Sequence, residues 1–142
     1  MPKEILPHIP RCQQTQSLYH EVLVEYLQAL EGILGKLKPI ADGVAGEGNT
    51  IVVLVCNLGQ AELFHNFVCG ARAKGLDLSK LLMFATDKET YQLSKQLGIA
   101  AFYDETIFAD MPTTAANSYG DRVFAKMMMA KVYCLHLVNQ LG

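Results

Sequence analysis

The sequence predicts an α/β fold in which a mostly parallel, doubly wound sheet follows an N-terminal helix. Three observations support this prediction. Apolar residues repeat at helical spacing near the start of the chain. From residue 50 onward, three short apolar segments alternate with helical patterns. An order of strand, helix, strand, helix, strand and helix is typical of a parallel sheet with helices on both faces.

The composition predicts one globular domain. The chain has 142 residues, which is enough for one substantial core. Because 51% of the residues are hydrophobic and only 18% are charged, the chain does not belong with disordered proteins. The net charge is −2 and no run of Lys or Arg occurs, so we expect no binding to nucleic acid.

The four cysteines are predicted to be reduced and buried. Cys12, Cys56, Cys69 and Cys134 form no C-x-x-C pair and no zinc-type cluster with histidine. No segment approaches the roughly 20 consecutive apolar residues that a membrane span needs, and the N-terminus lacks the apolar stretch of a signal peptide. We therefore expect no membrane-spanning segment.

Residues 1–49 are predicted to precede the sheet. A Pro-containing lead-in covers residues 1–16, a helix covers residues 17–38, and Pro39 ends that helix. A Gly-rich linker covers residues 41–49. The helix is predicted from leucines at spacings of three and four, namely Leu23, Leu27, Leu30, Leu34 and Leu37.

Residues 50–142 carry the alternating pattern. Strands are predicted at residues 50–56, 80–85 and 99–103, and the first is a β-branched run expected of a central strand covered on both faces. A helix over residues 60–74 is expected to end at Gly75. Thr86 and Glu89 are expected to form a capping box for a helix that ends at Gly98. A loop at residues 104–118 precedes a last helix at residues 119–141.

Polar residues follow each predicted strand, where open α/β sheets bind their ligands. Asn57 follows the first strand, Thr86 and Asp87 follow the second, and Asp104 and Glu105 follow the third. Such groups could hold a base and a ribose by hydrogen bonds. The alternative is local: Asn57 shapes a turn, while Thr86 and Asp87 cap a helix.

Lys131 lies at the centre of an apolar stripe on the last helix. Phe124, Met127, Met128, Leu135 and Val138 share that face at about 100° per residue. A lysine there either meets an anion such as a diphosphate or extends past the apolar surface into water. Lys126 and Arg122 are expected on the opposite, solvated face.

Other enzyme signatures are absent from the sequence. No G-x-x-x-x-G-K-[ST], G-x-G-x-x-G or G-x-S-x-G occurs, which argues against P-loop enzymes, dehydrogenases and α/β-hydrolases. The four histidines have no spacing suited to a shared metal.

Five segments in order resemble the nucleotide-diphospho-sugar transferase family, near glycosyltransferase family 77. They are residues 50–57, 60–67, 81–87, 97–99 and 119–132, so the resemblance covers residues 50–142 and leaves residues 1–49 outside. The family has the GT-A fold, a Rossmann-like sheet that holds a nucleotide sugar with Mn²⁺ or Mg²⁺. The resemblance implies that Asn57, Thr86 and Asp87 lie on the nucleotide side and that Lys131 faces the diphosphate.

The resemblance also implies that the chain is the front half of the family's domain. In that family an Asp-x-Asp motif on the next strand binds the cation, so no metal ligand, acceptor site or catalytic residue is expected here. Three hypotheses follow: a glycosyltransferase truncated at Gly142, a non-catalytic module that binds a nucleotide or a partner, and a non-functional remnant. The chain alone is expected to be inactive. Relatives are usually Golgi enzymes, which implies that compartment.

Overall fold

The computed structural model describes the backbone of residues 8–142 and the side chains from residue 20 onward. The chain divides into two compact units, of which the first ends at Glu31 and the second is Gly32–Gly142. Helix α1, His8–Ala45, spans this boundary, and a single 3-10 turn at Gly46–Gly48 follows it. All strands and the remaining helices belong to the second unit.

Helix α1 is longer at both ends than the sequence predicted. Pro39 lies inside the helix and does not end it, so neither the break after residue 38 nor the linker from residue 41 is correct. Residues 8–16 are helical and not an irregular lead-in, and residues 1–7 lie outside the described residues. A proline inside a helix costs about 3 kcal/mol. Burial of Leu37, Ala41 and Val44, which repeat at helical spacing around it, offsets that cost.

The sheet has three parallel strands in the order β1-β2-β3. Strand β1 is Val52–Cys56, β2 is Leu81–Ala85 and β3 is Ala100–Phe102. The register pairs Val52 with Leu81 and Leu82 with Ala100. The parallel sheet and the N-terminal helix confirm the predicted α/β, partly Rossmann-like fold.

Strand β1 is not the central strand that its composition predicted. Among the described residues it lies at an edge of the sheet, and β2 lies in the centre. All five residues of β2 are buried, whereas Val52 of β1 is 54% exposed. An apolar run identifies a strand, but its place in the sheet depends on which other segments pair with it.

Four helices complete the second unit: α2 at Ala61–Ala73, α3 at Lys88–Gln96, α4 at Glu105–Phe108 and α5 at Arg122–Gln140. Gly75 and Gly98 both have φ of +69°, which a glycine adopts without strain, and they end α2 and α3 as predicted. Helix α4 falls within the segment predicted as a loop, because Asp104 caps it by accepting a hydrogen bond from the Thr106 N–H.

Helices cover both faces of the sheet. On one face, Phe64 and Val68 of α2 pack with Cys56 and Met83, and Tyr91 and other residues of α3 pack around this cluster. Residues Leu82 and Phe84 alternate with Met83 along β2, so they point to the opposite face, and both are fully buried. Helix α5 packs chiefly on β1 from that second face. This arrangement agrees with the predicted doubly wound sheet.

The core-facing side of α5 differs from the predicted apolar stripe. The buried residues are Met127, Ala130, Cys134 and Leu137, whereas Leu135 is 53% exposed and Lys131 is exposed. The prediction placed the large apolar residues inward. Of those residues only Met127 is buried, and it faces the core together with Leu137, Ala130 and Cys134.

Two of the cysteine predictions are confirmed and one is wrong. Cys56 and Cys134 are buried free thiols, and burial raises the pKa of Cys56 to about 11. Burial also raises the pKa of Cys134. Cys69 is free but exposed, because it lies on the outer side of α2. The side chain of Cys12 lies outside the described residues.

Candidate functional site

Buried polar side chains collect where the three parallel strands end. Asn57 follows β1, Thr86 and Asp87 follow β2, and Asp104 follows β3. Each of the four is at most 6% exposed. Because parallel strands end at the same edge of a sheet, three of the predicted nucleotide-site residues, Asn57, Thr86 and Asp87, lie along one edge.

Asp87 connects the turn after β1 to the start of α3. Its Oδ1 accepts a hydrogen bond of 2.8 Å from the Thr90 N–H, and its Oδ2 accepts one of 2.7 Å from the Leu58 N–H. The first contact makes Asp87 the N-cap of α3, as the local alternative proposed. Thr86 is not the cap, so the predicted capping box of Thr86 and Glu89 is wrong by one residue.

Thr86 extends the pairing between β1 and β2 by one residue. Its backbone N–H donates to the Cys56 carbonyl at 3.0 Å, and its hydroxyl lies 3.4 Å from the same oxygen. The hydroxyl also lies 3.9 Å from the Met127 sulfur of α5. Thr86 therefore joins both strands and α5 at the carboxyl edge of the sheet.

Asn57 holds a later loop across the end of β1. Its side-chain amide donates hydrogen bonds of 2.8 Å to the carbonyls of Pro112 and Thr114. The same loop passes close to Gly59, where a Cβ would lie 2.0 Å from the Ala115 nitrogen. Only glycine therefore permits the loop to approach the chain at this position. The Asn57 Oδ1 is buried and has no hydrogen-bond partner among the described residues.

Asp104 forms an ion pair of 2.7 Å with Lys36 of α1. Burial alone would raise the pKa of Asp104, but hydrogen bonds from Lys36 and Thr106 outweigh it and hold the pKa below its usual value. Beside it, the Lys88 ammonium lies 3.6 Å from Glu105. The end of β3 therefore carries ionised groups whose charges are largely paired.

A cleft of about 200 Å³ lies beside these residues, toward β3. Its lining combines an aromatic ring, carboxylates and hydroxyls, from Thr86, Asp87, Lys88, Glu89, Tyr103, Phe108, Ala109, Met111 and Thr113. Complete small-molecule pockets measure about 300–1,000 Å³. The cleft therefore has room for part of a nucleotide sugar, such as a nucleoside, and not for the whole molecule.

Tyr103 is the cleft residue that the sequence prediction did not select. Its ring contacts the rings of Phe108, with centroids 6.3 Å apart, and Tyr91, at 6.5 Å. Burial, followed by the nearby Glu105 charge, raises the pKa of Tyr103, so its hydroxyl stays protonated at neutral pH. The available signal was that Tyr103 ends the third predicted strand, because the other site residues follow the ends of the predicted strands.

The structure does not bring Lys131 into this group. Its side chain is exposed on α5, and within the described part of the chain it has no hydrogen bond or ion pair with Asn57, Thr86 or Asp87. Lys126 is half-buried and donates a hydrogen bond of 2.9 Å to the Asp110 carbonyl, whereas Arg122 is exposed as predicted.

The described residues do not provide a metal site. No group of three or more His, Cys, Asp or Glu side chains among them could hold a metal ion. Both carboxylate oxygens of Asp87 already accept backbone N–H groups, and Asp104 is occupied by Lys36 and Thr106. These carboxylates therefore do not fit the ligand set of a divalent cation.

One comparison with known proteins finds a match over part of the chain. Residues 76–142 match the model of the nucleotide-diphospho-sugar transferase family, which is the family that the sequence resembles. The match contains β2, β3 and α3 to α5, and it includes Thr86, Asp87 and Lys131 but not Asn57. No curated protein and no solved structure matches the chain. Among the described helices, none combines the length and apolarity that crossing a membrane requires.

Proposed function

We propose that this chain forms the donor side of a glycosyltransferase that transfers a sugar from a nucleotide-diphospho-sugar. The observation that carries the proposal is the position of the cleft. Six of its nine lining residues lie between the strands and helices that the family match contains, and all nine lie within residues 76–142. The carboxyl edge of a parallel sheet is also where this kind of fold binds nucleotides.

The cleft is proposed to hold the nucleoside part of the donor. The Tyr103 ring offers an aromatic face for a base. Stacking of a base on an aromatic side chain contributes about 1–3 kcal/mol of binding free energy. Thr86 lines the cleft, and Thr113 offers a hydroxyl that can bond to a base or a ribose. Asp87 does not depend on the ligand for its order, because two backbone N–H groups already hold its carboxylate.

The diphosphate is proposed to extend from the cleft along the ends of the strands. Lys131 is the residue proposed to face it, through its exposed ammonium, whereas Asn57 is proposed to lie on the nucleotide side. When bound, Mn²⁺ or Mg²⁺ would neutralise the diphosphate charge. We propose that residues other than the described ones bind this cation. We also propose that the transferase is located in the Golgi.

Calorimetry with uridine, UDP and GDP, each with and without Mn²⁺, tests the proposal. Tyr103→Ala is expected to weaken binding about tenfold because it removes the aromatic face, and Tyr103→Phe is expected to retain most of the affinity. Tyr119→Ala is the matched control, since Tyr119 is 91% exposed and does not line the cleft. Equal affinities for Tyr103→Ala and Tyr119→Ala would exclude the cleft as the nucleoside site.

Lys131→Ala tests the diphosphate assignment separately. The variant is expected to weaken binding of UDP but not of uridine, because the ammonium interacts with phosphate and not with the nucleoside. Lys74→Ala serves as the control, since Lys74 is an exposed lysine at the end of α2. Equal affinity of the Lys131→Ala variant and the unchanged chain for UDP would leave Lys131 as a solvated surface residue.

A further inference from the structure

One wall of the cleft is a segment without helix or strand. Residues 109–116, which we call the wall segment, follow directly after α4. Ala109, Met111 and Thr113 of this segment line the cleft. Because the segment has no regular secondary structure of its own, its position depends on the contacts that attach it to the rest of the fold.

Asn57 makes the contacts nearest to the cleft residue Thr113. Its side-chain amide donates hydrogen bonds of 2.8 Å to the carbonyls of Pro112 and Thr114, the residues on either side of Thr113. Within the described part of the chain, residues 112–116 make no other hydrogen bond. The place of Thr113 beside the cleft therefore depends mainly on one side chain from the turn after β1.

The amide of Asn57 can make these contacts in one orientation only. Both partners are carbonyls, which accept hydrogen bonds and cannot donate them, so the NH₂ group must face the wall segment and Oδ1 must point away from it. Asn57 is 1% exposed and does not line the cleft. It can therefore act on a ligand in the cleft only through the wall segment.

Gly59 supports the wall segment at a second point. A Cβ at this position would lie 2.0 Å from the Ala115 nitrogen and 2.4 Å from the Thr114 carbonyl carbon, far closer than real Cβ contacts. Any larger residue would push the segment away from the turn after β1. Asn57 thus attaches the segment by hydrogen bonds, and Gly59 leaves the space that the attached segment occupies.

The same turn is also attached to a second side of the cleft. The N–H of Leu58, the residue between Asn57 and Gly59, donates a hydrogen bond of 2.7 Å to the Asp87 Oδ2. Asp87 caps α3, and the first two residues of that helix line the cleft. The turn therefore fixes the wall segment and the start of α3 relative to each other.

We propose that Asn57 is a positioning residue for the ligand of the cleft. By fixing the wall segment, its amide determines where Met111 and Thr113 lie relative to Tyr103. A cleft whose wall is already in place loses less conformational entropy when it binds a ligand. The inference rests on the proposed function, because the ligand it concerns is the nucleoside of the donor.

The hydrogen bonds of Asn57 are expected to affect the order of the wall segment more than the stability of the fold. The two acceptor carbonyls can bond to water in their place, since Thr114 is exposed and Pro112 is half-buried. The Asn57 Oδ1 is buried and has no partner among the described residues, which opposes the stabilisation from the two donated bonds.

NMR relaxation and calorimetry with uridine test the proposal. Asn57→Ala removes the two donors, and Gly59→Ala fills the space beside the segment. Each variant is expected to lower the ¹⁵N heteronuclear NOE of residues 113–116 and to weaken uridine binding about tenfold, because the wall is no longer held in place. Asn66→Ala and Gly70→Ala are the matched controls, since Asn66 is exposed on α2 and a Cβ on Gly70 would meet no atom within 4 Å.

Two ligand-free measurements separate this role from a general loss of stability. The midpoint of urea unfolding of Asn57→Ala is expected to match that of Asn66→Ala. The ¹⁵N relaxation of α3 is expected to be the same in both variants. Uridine carries no phosphate, so the comparison does not depend on Lys131 or on a cation.

Three outcomes would overturn the proposal. The first is equal uridine affinity of Asn57→Ala and Asn66→Ala, which would leave the proposed function intact if the unchanged chain binds uridine. The second is weaker binding by Asn57→Ala with the wall segment as ordered as before, which would make Asn57 a direct ligand contact. The third is no binding of millimolar uridine by the unchanged chain, which would contradict the nucleoside site itself.

Discussion

Strands β1 and β2 have similar sequences and different environments. Each has five residues, nearly all of them apolar, yet β2 is buried along its whole length and β1 is exposed at Val52. The difference arises because β2 has a paired strand on each side and β1 has one only, among the described residues. Composition thus determines that a segment forms a strand, whereas the pairing partners determine how much of it is buried.

The same contrast separates the two sides of the sheet. On the side of β2 and β3, polar groups are buried and mostly hydrogen-bonded, and a cleft lies beside Tyr103 and Asp87. On the side of β1, apolar side chains of α2 and α5 are exposed. The first side has the features of a ligand site, and the second carries exposed apolar side chains.

The largest expected effect concerns the central strand. Phe84 is fully buried and packs edge-to-face on Phe102 with ring centroids 5.7 Å apart. Phe84→Ala is expected to lower the free energy of unfolding by about 3–5 kcal/mol. Val52→Ala, at the exposed edge, is expected to change it by less than about 0.5 kcal/mol. Urea denaturation measures both, and equal losses would contradict the contrast between the strands.

A pair of leucines on α5 tests which side of that helix faces the core. Leu137 is fully buried and Leu135 is 53% exposed. Leu137→Ala is expected to cost about 2–4 kcal/mol, and Leu135→Ala less than about 1 kcal/mol. Thermal unfolding of the two variants makes the comparison. A larger loss of stability for Leu135→Ala would show that the apolar stripe predicted from the sequence is the side of α5 that faces the core.

Asp87 is expected to stabilise the junction between the two regions. Asp87→Ala removes the acceptor of the Thr90 and Leu58 N–H groups, and we expect a loss of about 2 kcal/mol, typical of a strong helix cap with one further hydrogen bond. Urea denaturation measures the loss. Asp77→Ala is the control, because Asp77 is exposed and accepts only from Ser79 in its own turn. A loss no larger than that of the control would show that Asp87 does not join β1 to α3.

The ion pair of Lys36 and Asp104 is expected to give a smaller, pH-dependent effect. Lys36 is mostly exposed, so we expect Asp104→Asn to cost only about 1 kcal/mol at neutral pH. The pKa of Asp104 is lowered in the folded chain, so its stabilising contribution is present above the unfolded pKa of about 3.9 and is lost as the pH falls through the lower, folded value. Asp42→Asn, in an exposed pair with Lys38, is the control.

Unfolding free energies measured from pH 7 down to pH 2 check this prediction. The difference between the unchanged chain and Asp104→Asn is expected to shrink only below about pH 4. A difference that stays constant over the whole range would mean that the Asp104 carboxylate does not stabilise the fold through its charge.

Local patterns were sufficient to predict much of the fold. The three strands and helices α2, α3 and α5 are where apolar periodicity predicted them, and Gly75 and Gly98 end their helices. In contrast, the path of α1 through Pro39 and the edge position of β1 depend on contacts between distant segments. Neither can be read from the spacing of residues within one element.

The sequence predicted where the candidate residues lie in the sheet but not all of their contacts. The rule that ligands bind at the carboxyl ends of strands selected Asn57, Thr86 and Asp87, and the structure places all three along that edge. It could not show that Asn57 bonds to the Pro112 and Thr114 carbonyls or that Asp87 bonds to the Leu58 N–H, since these partners lie 29 to 57 residues away. Lys131 was selected from the helical periodicity of α5. Two sides of this helix are apolar, so periodicity alone does not decide which of them faces the core.

The most direct test of the proposed function is an NMR titration of the chain with UDP and GDP in the presence of Mg²⁺. We expect saturable shifts of backbone amides in residues 86–89 and at Tyr103, with much smaller changes at Val53 and Val55 on the outer edge of β1. Absence of shifts at millimolar nucleotide, or shifts confined to residues outside the cleft, would contradict the assignment of this edge of the sheet to a nucleotide-sugar donor.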